Sequence, residues 1–316
     1  MRTLIALGGN AMTAPDGRAR PEDQIAAVGV AMEAVADLVE AGVEVVLTHG
    51  NGPQVGNLLV KNELAAHVVP PVPLDWCGAQ TQGTLGFVIV SALEGALAAR
   101  GVATPVAAVV TRTLVDANDR GFTHPTKPVG RYLPKEQAAA MIAHGQTWED
   151  RGERGWRRVV ASPEPLKILD APAAKALLDA GYVVVACGGG GIPMVCNPTT
   201  DVLQGVEAVI DKDLSAVLLA RAVAADQLVI ATDVDHIFLR FGTPDARALR
   251  RVGVADLRAH LAAGEFGGGS MAPKAEAACR FVEGGGRRAV VTGLGCIREA
   301  VFGQAGTVVE RELTNA

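Results

Sequence analysis

Three lysines stand in short motifs that are far apart along the chain. Lys212 lies between Asp211 and Asp213, Lys274 follows a run of glycines, and Lys127 lies between a threonine and a proline. A compact ammonium group next to a carboxylate can neutralise a phosphoryl group while it is transferred. The alternative is structural, with Asp211 capping a helix and the lysines facing solvent.

Glycine-rich turns recur in the same chain, over Leu4–Asn10, Val45–Gly56, Val183–Gly191 and Gly267–Lys274. Glycine lets the backbone approach a ligand closely, and a helix that starts after the turn offers unpaired N–H groups to an anion. One such turn would indicate no more than a strand-to-loop connection. Several of them predict a cradle for phosphate groups. A lysine in the first turn of a helix, as at Lys274, is unfavourable unless an anion offsets its charge.

Two familiar nucleotide-binding signatures are absent from the sequence. There is no G-x-x-x-x-G-K-[ST] motif, and Gly50–Gly56 misses the G-x-G-x-x-G spacing by one residue. The sequence therefore predicts neither a P-loop nor a regular dinucleotide-binding turn. His49, within the second glycine-rich turn, is interpreted as structural because no acid or base partner is visible near it.

Composition narrows the class of protein. The 316 residues are 49% hydrophobic and 20% charged, which suits a large α/β core. The net charge of −5 and the scattered basic residues argue against nucleic-acid binding. Five cysteines without a C-x-x-C pair argue against a disulfide framework or a zinc site, and no residue is assigned as a metal ligand.

The same features predict a cytoplasmic location without a membrane segment. The four apolar residues that follow Met1-Arg2-Thr3 form a stretch too short for a signal peptide. No uninterrupted apolar run approaches the ~18 residues that a membrane-spanning helix needs.

Helical and strand-like segments alternate along most of the chain. Apolar spacing predicts helices over 21–42, 54–66, 75–100, 173–180, 211–224, 254–263 and 270–283, and strands over 43–48, 106–110, 182–186, 227–232, 288–292 and 306–310. This alternation indicates a mostly parallel sheet covered by helices on both faces, with ligands at the carboxyl ends of the strands. Thr232, Asp233 and Asp235 follow such a strand, where they are candidates to contact a nucleotide or to form a turn.

Residues of about 116–165 differ in character, with tryptophans, prolines and a mixed-charge run. We predict a small protruding subdomain there, with a helix over 134–144. The chain is then divided into an N-terminal lobe, 1–169, which includes the protrusion and holds the smaller substrate, and a C-terminal nucleotide-binding lobe, 170–316.

The motifs, taken together and in order, resemble the carbamate kinases of the amino acid kinase family. The similarity is carried by Ala6–Ala11, Thr48–Gly56, Pro125–Gly130, Gly188–Pro193, Gly205–Asp213 and Gly269–Lys274. The resemblance implies a three-layer αβα sandwich, a homodimer, and reversible phosphoryl transfer between ATP and carbamate that yields ADP and carbamoyl phosphate. It also implies Mg²⁺ bound with the nucleotide and use of the reaction to make ATP in arginine catabolism or another route that yields carbamoyl phosphate.

The resemblance also implies roles for single residues. Lys212 supplies the charge that most of the wider family places in the first strand, where this chain has Ala6. Asp213 orients Lys212 and Lys274, Lys274 stabilises the transferring phosphoryl group, and Lys127 reaches the carbamate from the protrusion. Anion-binding residues are assigned as Gly8, Gly9, Asn10, Asn51, Gly52, Gly189 and Gly190. Nucleotide-binding residues are assigned as Thr232, Asp233, Asp235, Ser270 and Met271.

One segment departs from the carbamate kinase pattern. Arg240 and Thr243 stand where those enzymes tend to have asparagine and lysine, in a loop expected to border the nucleotide. Two alternatives stay open: another small-molecule kinase of the same fold, and a nucleotide-binding regulator without chemistry. The retention of Lys212, Asp213 and Lys274 favours an enzyme, because a sensor needs no charge at a reacting bond.

Overall fold

Helices and strands alternate along most of the chain in the computed structural model, which describes residues 1–9, 12–13, 20–266 and 271–312. The strands are β1 (Arg2–Leu7), β2 (Glu44–His49), β3 (Val106–Ala108), β4 (Arg112–Val115), β5 (Lys127–Leu133), β6 (Thr147–Asp150), β7 (Trp156–Val160), β8 (Pro165–Ile168), β9 (Val183–Val185), β10 (Ile192–Cys196), β11 (Leu203–Gly205), β12 (Gln227–Thr232), β13 (Ile237–Leu239), β14 (Arg247–Leu249), β15 (Arg251–Gly253), β16 (Arg288–Gly293) and β17 (Thr307–Glu310). The α-helices are α1 (Pro21–Glu40), α2 (Gly52–Ala65), α3 (Leu74–Ala99), α4 (Arg120–Thr123), α5 (Lys135–Ala143), α6 (Ala171–Asp179), α7 (Lys212–Ala222), α8 (Val254–Ala262), α9 (Met271–Glu283) and α10 (Ile297–Val301). Short 3₁₀ helices occur at Gly152–Arg154, Gly188–Gly190 and Leu294–Cys296.

An eight-stranded sheet forms the middle layer, in the order β15-β17-β16-β12-β1-β2-β9-β3. Its strand pairs are parallel except for β16 with β17. The central strands are apolar at nearly every position because helices cover both faces of the sheet. The predicted α/β class with a mostly parallel sheet is confirmed.

Successive side chains of one strand enter different cores. Leu4 and Ala6 of β1 belong to one buried cluster, whereas Ile5 and Leu7 belong to another. The first cluster includes residues of α6, α7, α8 and α9, and the second includes residues of α1, α3 and α10. This alternation follows from the two-residue period of a strand. The predicted three-layer αβα sandwich is therefore confirmed.

The protruding subdomain contains a three-stranded antiparallel sheet, β5-β7-β6, packed on α5. Leu133, Ala138 and Trp148 form its small buried core. A second minor sheet, β11-β10-β4-β8, joins this region to the main body. The sequence pattern predicted the helix of the protrusion but not its strands, which are short and mostly half-exposed.

The division into lobes at residue 169 does not match a break in the central sheet. Strand β9, from the second half of the chain, lies between β2 and β3 from the first half. One sheet therefore carries both sets of loops.

The sequence predicted no membrane-spanning segment, and helix α3 is an exception to this prediction. It is long and apolar enough to cross a membrane by those two criteria alone. A core helix meets the same criteria, and Leu85, Ile89 and Leu93 of α3 are fully buried in the cluster that α1 also joins.

Candidate active site

Four loops meet at one edge of the central sheet. They follow β1, β2, β9 and β12, which are consecutive neighbours in the order β12-β1-β2-β9 and all run parallel. Parallel strands bring their carboxyl ends to the same edge, where ligands of open α/β sheets bind. Three of the four glycine-rich turns of the sequence, those after β1, β2 and β9, are thus placed side by side by strand pairing.

These loops pack so closely that side chains would not fit. A Cβ atom on Gly50 would lie 2.6 Å from the backbone nitrogen of Gly9. Gly189 has φ of +66°, and a Cβ there would lie 2.1 Å from Nδ2 of Asn51. Asn51 donates its side-chain amide to Thr81 Oγ1 at 2.9 Å. Glycine is therefore required at these contacts, and α2 starts at the edge with its N-terminal amides toward the loops.

Lys212 and Lys274 converge on one carboxylate. Lys212 Nζ lies 2.6 Å from Asp213 Oδ1, and Lys274 Nζ lies 3.0 Å from Asp213 Oδ2. Each of the three side chains is no more than 10% exposed. Lys212 begins α7 and Lys274 lies in the first turn of α9, and these two helices pack against each other. Two cations and one anion leave a net positive charge in a buried place.

Burial and the neighbouring charges both shift the pKa values of these groups. Burial lowers the pKa of Lys212, while the charge of Asp213 raises it and that of Lys274 lowers it. For Asp213, burial raises the pKa but the two nearby ammonium groups lower it further, so the pKa falls below its ordinary value. The carboxylate is ionised at neutral pH and holds both lysines in one arrangement.

Lys127 reaches the same place from the protrusion. Its Nζ lies 2.9 Å from Asp211 Oδ2, and 84 positions separate the two residues. The other oxygen of Asp211 caps α7 by accepting from the backbone N–H groups of Asp213 and Leu214. Asp211 thus has both the structural role considered from the sequence and a contact that no local pattern indicated.

A single cavity of about 480 Å³ joins these features. Most of the predicted site residues line it, and they are Gly8, Gly9, Asn51, Gly52, Lys127, Gly189, Lys212, Asp213, Thr232, Asp233 and Lys274. Asp235 and Met271 are not among its lining residues, and Asn10 and Ser270 lie outside the described residues.

Gly190 corrects the sequence-based assignment. It does not line the cavity, its N–H donates to the carbonyl of Cys187, and its own carbonyl accepts from Thr113 Oγ1 and Ser215 Oγ. With both backbone groups used, Gly190 shapes the loop and has no N–H free for an anion.

His49 is buried next to the cavity. Its Nδ1 donates to the carbonyl of Gly50 at 3.0 Å, and a Cβ atom on Gly188 would lie 2.3 Å from its Nε2. Burial, with the nearby charge of Lys212, lowers the pKa of His49 to about 4. The imidazole is therefore neutral at physiological pH, in keeping with a structural residue.

One further supporting residue was missed from the sequence. Gln82 is buried in α3 and donates from Nε2 to the carbonyls of Thr111 and Gly188. Its Oε1 accepts from the backbone N–H of Thr111 at 2.7 Å. A glutamine inside an apolar helix was the only available signal, and such a residue indicates burial with partners but not which loop it supports.

The carboxylates of the cavity differ in their availability to a cation. Asp213 and Asp211 are occupied by lysines, whereas Asp233 has no cationic partner within the described part of the chain and accepts only from Thr232 Oγ1. Within the same described residues, no group of three or more His, Cys, Asp or Glu is arranged to hold a metal ion.

Fold and site together define a phosphotransferase of the α/β class. The family model for the amino acid kinase family matches residues 1–293, and the chain belongs to that family. The resemblance inferred from the motifs is confirmed.

The relatives are similar along nearly their whole length. The chain is 45% identical to the carbamate kinase of Thermococcus kodakarensis, with 98% of this chain and 99% of the relative covered. It is 44% identical to a carbamate kinase-like protein of Escherichia coli, with 96% and 97% covered. The structure of carbamate kinase from Giardia lamblia bound to AMP-PNP superposes with a TM-score of 0.91, at 38% identity and 98% coverage of both chains.

Proposed function

We propose that this protein is a carbamate kinase, which transfers a phosphoryl group reversibly between ATP and carbamate. The observation that carries the proposal is the convergence of Lys212 and Lys274 on Asp213 in a cavity lined by glycine loops. The similarity to carbamate kinases over nearly full length supports the choice of acceptor.

The reaction is an in-line attack of a carbamate oxygen on the γ-phosphoryl group of ATP, without a covalent intermediate on the protein. Phosphoryl transfer of this kind needs positioning and charge stabilisation more than a nucleophile or base. Lys212 and Lys274 stabilise the negative charge of the migrating group. The backbone N–H groups of Gly9 and Gly52 hold phosphate oxygens, and Lys127 binds the carbamate.

Magnesium would be bound mainly through the nucleotide phosphates, with Asp233 as the carboxylate of the cavity that is free to hold it. It would supply positive charge to the phosphate oxygens. Thr232 lies beside Asp233 at the end of β12 and lines the same cavity, so we assign both residues to the nucleotide. Asp235, Ser270 and Met271 stay predicted nucleotide contacts.

The cellular role that we propose is ATP formation from carbamoyl phosphate in arginine catabolism or another route that yields this compound, in the cytoplasm. We further propose a homodimer. Phe87 of α3 is 68% exposed and Val110 is 59% exposed, next to β3 at the edge of the central sheet. Exposed apolar side chains beside an open strand edge are typical of a subunit interface.

The proposal is tested by mixing purified protein with Mg-ADP and carbamoyl phosphate and measuring ATP. Wild-type protein is expected to form ATP. Lys212→Ala and Lys274→Ala are each expected to lose at least about 10² to 10³ in turnover with the fold intact, because each removes a stabilising charge from the transferring group. Lys61→Ala, an exposed lysine of α2, is the matched control and should retain activity.

Two other outcomes would replace the proposal. Nucleotide binding without ATP formation would identify a regulator that keeps the fold. ATP formation only with another acyl or nucleoside phosphate would identify a different kinase of the same family. Near-normal turnover in both lysine variants would contradict the assignment of the site.

A further inference from the structure

A second cavity, of about 250 Å³, lies within the protruding subdomain and is lined by Pro128, Tyr132, Arg151, Arg154 and Arg157. Pro128 also lines the larger cavity described above, so the two are neighbours. The smaller cavity, called here the arginine cavity, plays no part in the reaction proposed above.

The arginine cavity is built from paired strands and a turn. Tyr132 of β5 lies opposite Arg157 of β7. Arg151 precedes the 3₁₀ turn between β6 and β7, and Arg154 is the last residue of that turn. The guanidinium carbon of Arg157 lies 5.0 Å from the centre of the Tyr132 ring, and Nη1 of Arg157 donates to the phenol oxygen of Tyr132 at 3.4 Å. These contacts fix the orientation of Arg157 toward the cavity wall.

Positive charge in the cavity is poorly compensated. Arg151 pairs with Glu149 at 2.5 Å, but neither Arg154 nor Arg157 has a carboxylate within ion-pair distance among the residues that the structure describes. The acidic residue of the turn itself, Glu153, is exposed.

The arginines also lie close to one another, since three of them line one cavity of about 250 Å³. Guanidinium groups that share one space also repel one another unless an anion lies between them.

We propose that the arginine cavity binds a small oxyanion with at least two negative charges, of which inorganic phosphate is the example used below. The planar guanidinium fork matches the oxygen spacing of phosphate and can bind it with two hydrogen bonds. Tyr132 adds a hydroxyl donor. The cavity volume suits an ion of this size with a few waters and is too small for a nucleotide.

Binding there would link the turn at residues 151–154 to strand β5. Lys127 is the first residue of β5 and reaches the larger cavity. An oxyanion in the arginine cavity therefore stabilises the strand that presents Lys127. The proposal of an anion site does not depend on the proposed function, and its test below requires no turnover.

The phenol of Tyr132 provides a local readout. Arg154 and then Arg157 lower the pKa of Tyr132 from its ordinary value of 10.0, against the opposing effect of burial. A bound dianion would offset these charges and raise the pKa again. The chain has two tyrosines, so Tyr182→Phe leaves Tyr132 as the single phenol that titrates.

The experiment is an ultraviolet titration of Tyr132 in the Tyr182→Phe protein, in sodium chloride and in sodium phosphate at equal ionic strength. Phosphate is expected to raise the midpoint of the Tyr132 titration by about one pH unit, and this rise should saturate with phosphate concentration. A rise of about one unit means that phosphate binds about tenfold more weakly once Tyr132 is ionised. Arg154→Gln is expected to raise the midpoint without phosphate and to remove the response. Arg120→Gln, at an exposed arginine elsewhere on the protrusion, should retain it.

Three results would overturn the proposal. They are a midpoint that phosphate does not move, a shift that sodium chloride reproduces, and a full response in Arg154→Gln. A shift caused by ADP alone would also overturn it, since the cavity would then bind part of a nucleotide and not a free oxyanion. Circular dichroism of each variant verifies that it is folded.

Discussion

Replacing Asp213 by asparagine removes the charge that holds two buried lysines together while keeping the size of the side chain. In the native protein each carboxylate oxygen accepts from one ammonium group, at 2.6 Å and 3.0 Å. The asparagine amide has one oxygen and one NH₂ group. Whichever way it turns, one of the two lysines faces a donor and loses its acceptor.

The expected cost is large because the side chains are almost inaccessible to water. Removing one partner from a buried charge network destabilises a protein by about 3 to 5 kcal/mol. The total stability of a domain is typically about 5 to 15 kcal/mol, so Asp213→Asn should fold but unfold at a clearly lower temperature. Turnover should fall by about 10² to 10³, since at least one ammonium group is no longer positioned at the transferring phosphoryl group.

The pH dependence of turnover in Asp213→Asn tests the role of this carboxylate more specifically than the loss of turnover does. Asp213 raises the pKa of Lys212, which burial and Lys274 lower. Without the carboxylate the charge of Asp211 still opposes these two effects, but the larger contribution of Asp213 is gone, so Lys212 loses its proton at a lower pH. The alkaline decline of turnover should therefore shift toward neutrality in Asp213→Asn relative to wild type.

The assay is ATP formation from carbamoyl phosphate and Mg-ADP between about pH 6 and 10, combined with thermal unfolding of the same samples. Asp256→Asn is the matched control, because Asp256 is exposed and forms no ion pair with either lysine. If Asp213→Asn keeps normal turnover and its turnover declines at the same alkaline pH as that of wild type, this carboxylate does not orient the two lysines.

Two further predictions concern stability and assembly. The pKa of His49 is about 4 in the folded protein against 6.5 for the free group, so the unfolded state binds more protons between these two pH values. The free energy of unfolding therefore falls as the pH drops from 6.5 to about 4, by about 3 kcal/mol in all. In denaturant unfolding at pH 7.5 and 4.5, His49→Asn should show a smaller difference in stability than wild type, and an unchanged difference would contradict a buried neutral imidazole. Phe87→Asp should convert the proposed dimer to a monomer, as measured by light scattering after size-exclusion chromatography. Phe241→Asp, at a side chain that is also 68% exposed, should leave the mass unchanged. Equal masses for the two variants would contradict a dimer interface at Phe87.

The sequence determined the boundaries of the elements that it predicted to within a few residues, but it did not predict the short strands of the minor sheets. Apolar spacing over 227–232 predicted β12 as it is found, and Pro21 with Gly42 marked a helix that the structure places at Pro21–Glu40. These features are local, because propensity, capping and apolar period act over one or two turns of chain. The short strands of the protrusion escaped prediction, since only occasional residues such as Val129 and Trp148 are buried there.

The sequence also singled out most residues of the site, because lysines among glycines and aspartates are unusual for a surface segment. It left their contacts undecided. Lys274 meets Asp213 across 61 positions, and Lys127 meets Asp211 across 84. The packing of α7 on α9 brings the first pair together, and the placement of the protrusion beside the central sheet brings the second. Only the tertiary structure decides such distances, because they depend on how separate elements pack and not on the pattern within any one of them.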